Sequence, residues 1–198
     1  MTAARGREAT EDALRGAAAR LLSRGGVLAG LNLREVADEA GVNRGLVYQY
    51  FGSRRSLLRS ALLHAARRNA ADAASASGLP LRDRLAGLIR TNVRLPEAIR
   101  LTTLLVLDGD ERARVLPNRG AGRAALAADA ARGELASGDV DAVHAALTAA
   151  VYGYTLLREQ LARETGVAAG DLDERVAACL GDLFTARPVP VPADDPPR

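Results

Sequence analysis

Between residues 32 and 54 the chain reads NLREVADEAGVNRGLVYQYFGSR, and its polar side chains are of the types that grip a polyanion. Arg44 carries a planar fork of donors that fits guanine O6 and N7, and Gln49 has the donor and acceptor pair that fits adenine. Tyr48 and Tyr50 can offer hydroxyls to phosphate, and Arg54 adds a guanidinium. Arg34 stands at a helix start, where the helix dipole favours acid, so its charge is better explained by an external anion than by stability. Each has a plainer use as well. The tyrosines could pack inside a small core, and Gln49 sits late enough to reach only a backbone.

Stepping these residues onto elements gives two short amphipathic helices joined by a tight corner. Asn32 is a good N-cap for the first, which turns Val36, Ala37 and Ala40 inward. Gly41 permits the sharp reversal, and Val42 fills the angle between the helices against Val36 and Val47. Asn43 caps the second helix, which ends near Phe51 and Gly52. This is helix-turn-helix spacing (motif 32–51), in which the second helix presents its first residues to the major groove. Gly45 has no chemistry of its own and would let that helix lie close to a nucleic-acid backbone.

The rest of the chain also shows the helical period, without sustained alternation of apolar and polar residues. A first helix is expected over 10–23, with Leu14, Ala18, Leu21 and Leu22 on one face, stopped by Gly25 and Gly26. Ser53 caps a fourth helix carrying Leu57, Leu58, Ala61 and Leu62, running to about residue 74. The run Ser75-Ala76-Ser77-Gly78-Leu79-Pro80 is the clearest joint. Helices are then expected over 81–95 and 96–107, a loop over 108–122, and a helix to about Leu135. Two regular helices follow. Val143, Leu147, Ala150, Tyr154, Leu157 and Leu161 step by four and three along one, as in a helix–helix seam. Leu172, Val176, Cys179, Leu180 and Leu183 form the stripe of the other. The Pro-rich tail, 188–198, cannot continue a helix and should be extended. The expected fold is all-α, with about nine helices.

Composition narrows the function. The chain has 198 residues, and its 27 basic side chains are all arginine. Any cationic side-chain contact to phosphate must therefore use a guanidinium, always charged and able to bind bidentately. Residues 1–70 hold 12 Arg and 6 acidic residues, a balance of +6, whereas residues 71–198 balance at −3. A basic first third on a mildly acidic body suits a small anion-binding module joined to a part with another task. No cofactor or metal is expected: Cys179 is the single cysteine, and the two histidines, His64 and His144, lie far apart. No unbroken apolar run is long enough to span a bilayer, and no secretory leader pattern opens the chain. The expectation is a cytoplasmic protein with no membrane partner. Cys179 is expected to be a small core residue.

The pattern from Ala18 to Gly26 (AxxLLxxxG), followed by LNLREVAxxAGVNRGLVYxYFxSRxxLL from Leu31 to Leu58, resembles the DNA-binding domain of the TetR family of bacterial repressors. Arg54 stands where that family usually has Lys, and Tyr50 near its usual His. Leu33 lacks the hydroxyl often found there and is not a candidate contact. The resemblance implies an all-helical homodimer. Residues 9–69 would form the DNA-binding domain and 80–187 an effector-binding and dimerisation domain, paired through the last two helices. It implies a palindromic double-stranded operator, with Arg34, Asn43, Arg44, Gly45, Tyr48, Gln49, Tyr50 and Arg54 at the DNA. Small residues at Ala146, Ala149, Ala150 and Gly153 would allow close helix pairing.

Within the second domain, polar groups interrupt the apolar stripes at Asn92, Thr102, Thr103, His144 and Thr148. They are the candidate contacts of a small-molecule effector, largely apolar because few aromatic residues are available to line a pocket. A threonine can equally bond its own helix backbone. The reading is a homodimeric repressor released by its effector. An architectural DNA-binding protein without effector and, less well supported, an enzyme on a helical scaffold are the alternatives. Against the enzyme, no metal-ligand spacing, Gly-rich phosphate loop or nucleophile elbow is present.

Overall fold

The computed structural model describes residues 2–25, 32–75, 78–116 and 119–186. Among them are nine helices and no strand beyond one isolated bridge, in agreement with the expected all-α class. They are α1 (Thr2–Gly25), α2 (Leu33–Ala40), α3 (Arg44–Phe51), α4 (Arg54–Ser75), α5 (Leu81–Arg94), α6 (Glu97–Leu107), α7 (Arg119–Ala131), α8 (Val140–Thr165) and α9 (Ala169–Phe184). The expected stop at Gly26, Pro117-Asn118 and the Pro-rich tail lie outside the described residues, as does the side chain of Leu22.

Two hydrophobic clusters hold these helices. The first gathers Leu14, Ala17 and Ala18 of α1, Leu33, Val36 and Ala37 of α2, Val47 of α3, and Leu57, Leu58, Ala61 and Ala65 of α4. It also takes in Leu101, Leu104 and Leu105 of α6. The joint at residues 75–80 therefore divides the chain but not the packing: α6 lies beyond the joint and is built into the first core. Burying a leucine is worth roughly 1.5–3 kcal/mol, so three of them fix α6 firmly against α4. The second cluster joins α5, α7, α8 and α9 through residues such as Leu85, Ile89, Leu126, Leu147 and Leu180.

Local chemistry explains where the helices begin and differ from expectation. α1 starts eight residues before Thr10, whose hydroxyl donates to the Gly6 carbonyl one turn back, 2.8 Å away. α7 starts at Arg119, inside the expected loop, and stops at Ala131 rather than at Leu135. Gly133 takes a positive φ there, and Leu135 pairs instead with Thr185 in the bridge that pins the end of α9. Asp139 caps α8 by accepting from the Ala142 N–H.

α8, at 26 residues, is long and apolar enough to cross a membrane by length and composition, which a search for unbroken apolar runs misses. Alanine, glycine and threonine raise its mean without making such a run. Here Val143, Leu147, Val151, Tyr154 and Ala162 are buried against the other helices, and much of the remaining surface of α8 is exposed. The expected seam holds only in part. Leu157 is 55% exposed, and on α9 Leu183 is 63% exposed. Cys179 is exposed too, contrary to its expected core position. The cause is geometric. Leu172, Val176 and Leu180 step by four down one side of α9, and Cys179 and Leu183 step by four down another.

Candidate nucleic-acid interface

The helix-turn-helix forms by the caps its sequence provides. Asn32 Oδ1 accepts from the Arg34 N–H at 2.9 Å, and Asn43 Oδ1 accepts from the Gly45 N–H at 2.8 Å. Gly41 adopts φ 69°, a left-handed conformation costly for any side chain, and its N–H bonds back to α2. Val42 packs on the core between the helices. Outside the motif, Arg20 of α1 reaches Glu39 of α2 at 2.7 Å, and Ser53 Oγ accepts from the Ser56 N–H to start α4.

This framework turns one side of α3 inward at Val47 and the other outward. Arg44 and Gln49 are exposed, and Tyr48 is 48% exposed. The Arg44 guanidinium lies over the Tyr48 ring, 5.9 Å from its centroid, so the two side chains form one surface feature. Arg34 and Asn43 are exposed as well. Gly45 has a local reason beyond close approach: a Cβ there would stand 3.2 Å from the capping oxygen of Asn43.

Tyr50 and Arg54 are placed differently. Tyr50 is half-buried against the first core, with the Arg7 guanidinium over its ring at 5.3 Å. Arg54, also half-buried, has a buried Nε without a partner among the described residues. Arg7 lies outside the helix expected over 10–23 and so is not among the candidates the sequence offers. The signal was there in the spacing Arg7, Glu11, Arg15, one helical turn apart each time. Glu11 accepts from both arginines, at 2.9 and 2.8 Å. The hydrogen bond from Arg7 and the field of both cations hold its carboxyl below the usual range.

The outward face of α3 thus carries a fork of N–H donors, a phenol and an amide, with Arg34 exposed on α2 and Arg7 over Tyr50 on α1. Such a surface can donate to phosphate oxygens and base edges together. Residues 14–61 match the profile described as bacterial regulatory proteins, tetR family. This region belongs to the TetR family.

The chain as a whole shares its fold with solved TetR-family regulators. It is similar to a TetR family transcription regulator from Marinobacter aquaeolei VT8, with 17% identity over 91% of this chain and 97% of that one, at a TM-score of 0.68. It is also similar to a gamma-butyrolactone receptor, with 23% identity over 89% of this chain and 98% of that one, at a TM-score of 0.59. No curated protein sequence matches the chain.

Beyond the matched region, the five candidate effector contacts sit on three helices. Asn92 of α5 donates to the Leu88 carbonyl, Thr102 of α6 to Ala98, and Thr148 of α8 to His144. Each therefore already has a bond within its own helix. His144 lies against Gly122 of α7, where a Cβ would come within 3.0 Å of its ring. Thr103 is half-buried. Sequence reading overlooked Tyr152, whose hydroxyl donates to the Val115 carbonyl at 3.1 Å and whose burial raises its pKa. It also overlooked Thr155, whose hydroxyl is buried without a partner among the described residues. An open polar cleft of about 460 Å³ lies elsewhere, between the start of α4 and the chain after α6, lined by Arg55, Arg59, Asp110 and Arg112 among others.

Proposed function

We propose that this chain is a homodimeric transcriptional repressor that binds a palindromic operator and is released by a small, largely apolar molecule. The observation that carries the reading is the outward face of α3. Arg44, Tyr48 and Gln49 stand exposed on a helix capped by Asn43 and anchored by Val47. In a two-fold dimer, two such helices would enter successive major grooves on one side of the duplex. Arginine and tyrosine contacts to phosphate would supply much of the affinity and make it fall with salt. Arg44 would supply much of the sequence preference.

Pairing through α8 and α9 is supported by the apolar residues these helices leave uncovered, Leu157 and Leu183, and by the exposed Ala146 and Ala149. Release requires an effector that binds the DNA-incompetent arrangement more tightly. The packing of α6 into the core of the first four helices supports such coupling, because a shift of α6 bears directly on α4. That a related fold is a gamma-butyrolactone receptor agrees with a small-molecule site in this architecture. Asn92, Thr102, Thr103, His144 and Thr148 remain its proposed polar contacts.

Selection of bound duplexes from a random pool tests the proposal. An inverted repeat should be enriched, and Arg44→Ala should abolish the enrichment. Equal recovery of all sequences would favour an architectural protein instead.

A further inference from the structure

We propose that Arg7, on the part of α1 that precedes the family match, is an additional contact to the DNA backbone. The inference rests on the DNA-binding reading above and extends its surface by one element. Arg7 is placed by two groups. Its Nε donates to Glu11 at 2.9 Å, and its guanidinium lies over the ring of Tyr50 near the end of α3. Its side chain is nevertheless 61% exposed. Among the described residues, neither terminal nitrogen of the guanidinium has a hydrogen-bond partner.

Arg15, the other arginine on Glu11, shows what a purely structural role looks like in the same network. It donates to Glu11, Asp12 and Ser60 through all three of its nitrogens and packs over Phe51. Arg7 has only one nitrogen so engaged. A guanidinium fixed at Nε and open along its outer edge presents two donors in a set direction, which suits a phosphate oxygen. Its place over Tyr50 puts that edge beside the helix proposed to enter the groove. The partner is therefore the DNA backbone, contacted without regard to sequence.

The test is the salt dependence of binding to a mixed-sequence duplex, measured by fluorescence anisotropy for the full chain and for Arg7→Ala, Arg7→Gln, Arg7→Lys and Arg15→Ala. In the proposed dimer each substitution at Arg7 removes two phosphate contacts, one per protomer, and should flatten the slope of log K against log salt by about 1.8. That flattening is expected for Arg7→Ala and Arg7→Gln, with unchanged thermal stability, whereas Arg7→Lys keeps the parent slope. Arg15→Ala should lower the melting temperature and leave the slope alone. A parent slope in Arg7→Ala and Arg7→Gln would overturn the inference while leaving DNA binding intact. Failure of the parent to bind any duplex would overturn the DNA-binding reading, and this contact with it.

Discussion

Arg59 of α4 and Asp110, three residues past the end of α6, meet through two parallel hydrogen bonds. Nε lies 2.6 Å from one carboxylate oxygen and the second nitrogen 2.5 Å from the other. The Asp110 side chain is almost wholly buried and also accepts from the Arg112 N–H. Beside this pair, Arg55 grips Asp108 through both its carboxylate and its carbonyl. Two turns of α4 are thereby clamped to the chain leaving α6, alongside the leucines that α6 contributes to the same core.

Breaking this clamp should loosen α6 from α4 within the first core. The Arg59 hydrogen bond, above all, holds the Asp110 carboxyl down at about 2, below its ordinary value of 3.8. A depressed carboxylate pKa gives stability that is present above pH 4 and lost as pH falls through about 2. Asp110→Asn should lower the melting midpoint at pH 7 by about 5 °C. It should also flatten the decline of the midpoint between pH 4 and 2 relative to the parent, as read by circular dichroism.

The corner of the helix-turn-helix predicts a backbone effect. Gly41→Ala places a side chain at φ 69° and should cost about 1–2 kcal/mol. Asn43→Ala removes the bond that caps α3 and should cost about 1 kcal/mol. Urea unfolding measures both, with unchanged m-values.

Arg44 predicts a functional effect without a structural one. It is exposed, so Arg44→Ala should leave the melting temperature unchanged. On the selected inverted repeat it should cost about 1–3 kcal/mol of discrimination in each half-site. Competition between the matched duplex and one altered at the contacted base pair reads that loss directly.

The uncovered residues of α8 and α9 predict an assembly. Leu157→Glu and Leu183→Glu alter exposed positions and should leave the folding of one protomer intact. Sedimentation should show the parent as a dimer and the double variant as a monomer. A parent that sediments as a monomer would refute pairing through these helices.

Much of the small domain was legible because it is written in local chemistry. Asn32, Gly41 and Asn43 act on the residues next to them, and their roles can be read without knowing what lies across the fold. What escaped notice depended on distant partners. The expected start of α1 at residue 10 is too late, because the bond of Thr10 to Gly6 and the packing of Arg7 on Tyr50 involve residues outside the amphipathic stretch. The leucines of α6 read as the core of a second domain, since periodicity gives the buried face but not the neighbour it faces. Cys179 was assigned inward because stripes three and four apart lie close together on a helix, and only packing decides between them. The candidate effector contacts were chosen as polar breaks in apolar faces, a pattern that Asn92, Thr102 and Thr148 also produce simply by bonding their own helices.

In the proposed complex, two copies of α3 occupy the major groove of one duplex. Protection of guanine N7 from methylation on the selected duplex tests it most directly, because N7 is exposed only in that groove. Two protected patches are expected on one face, their centres about 10 base pairs apart or a multiple of that, both lost in Arg44→Ala. Unprotected guanines, or a single patch, would contradict it.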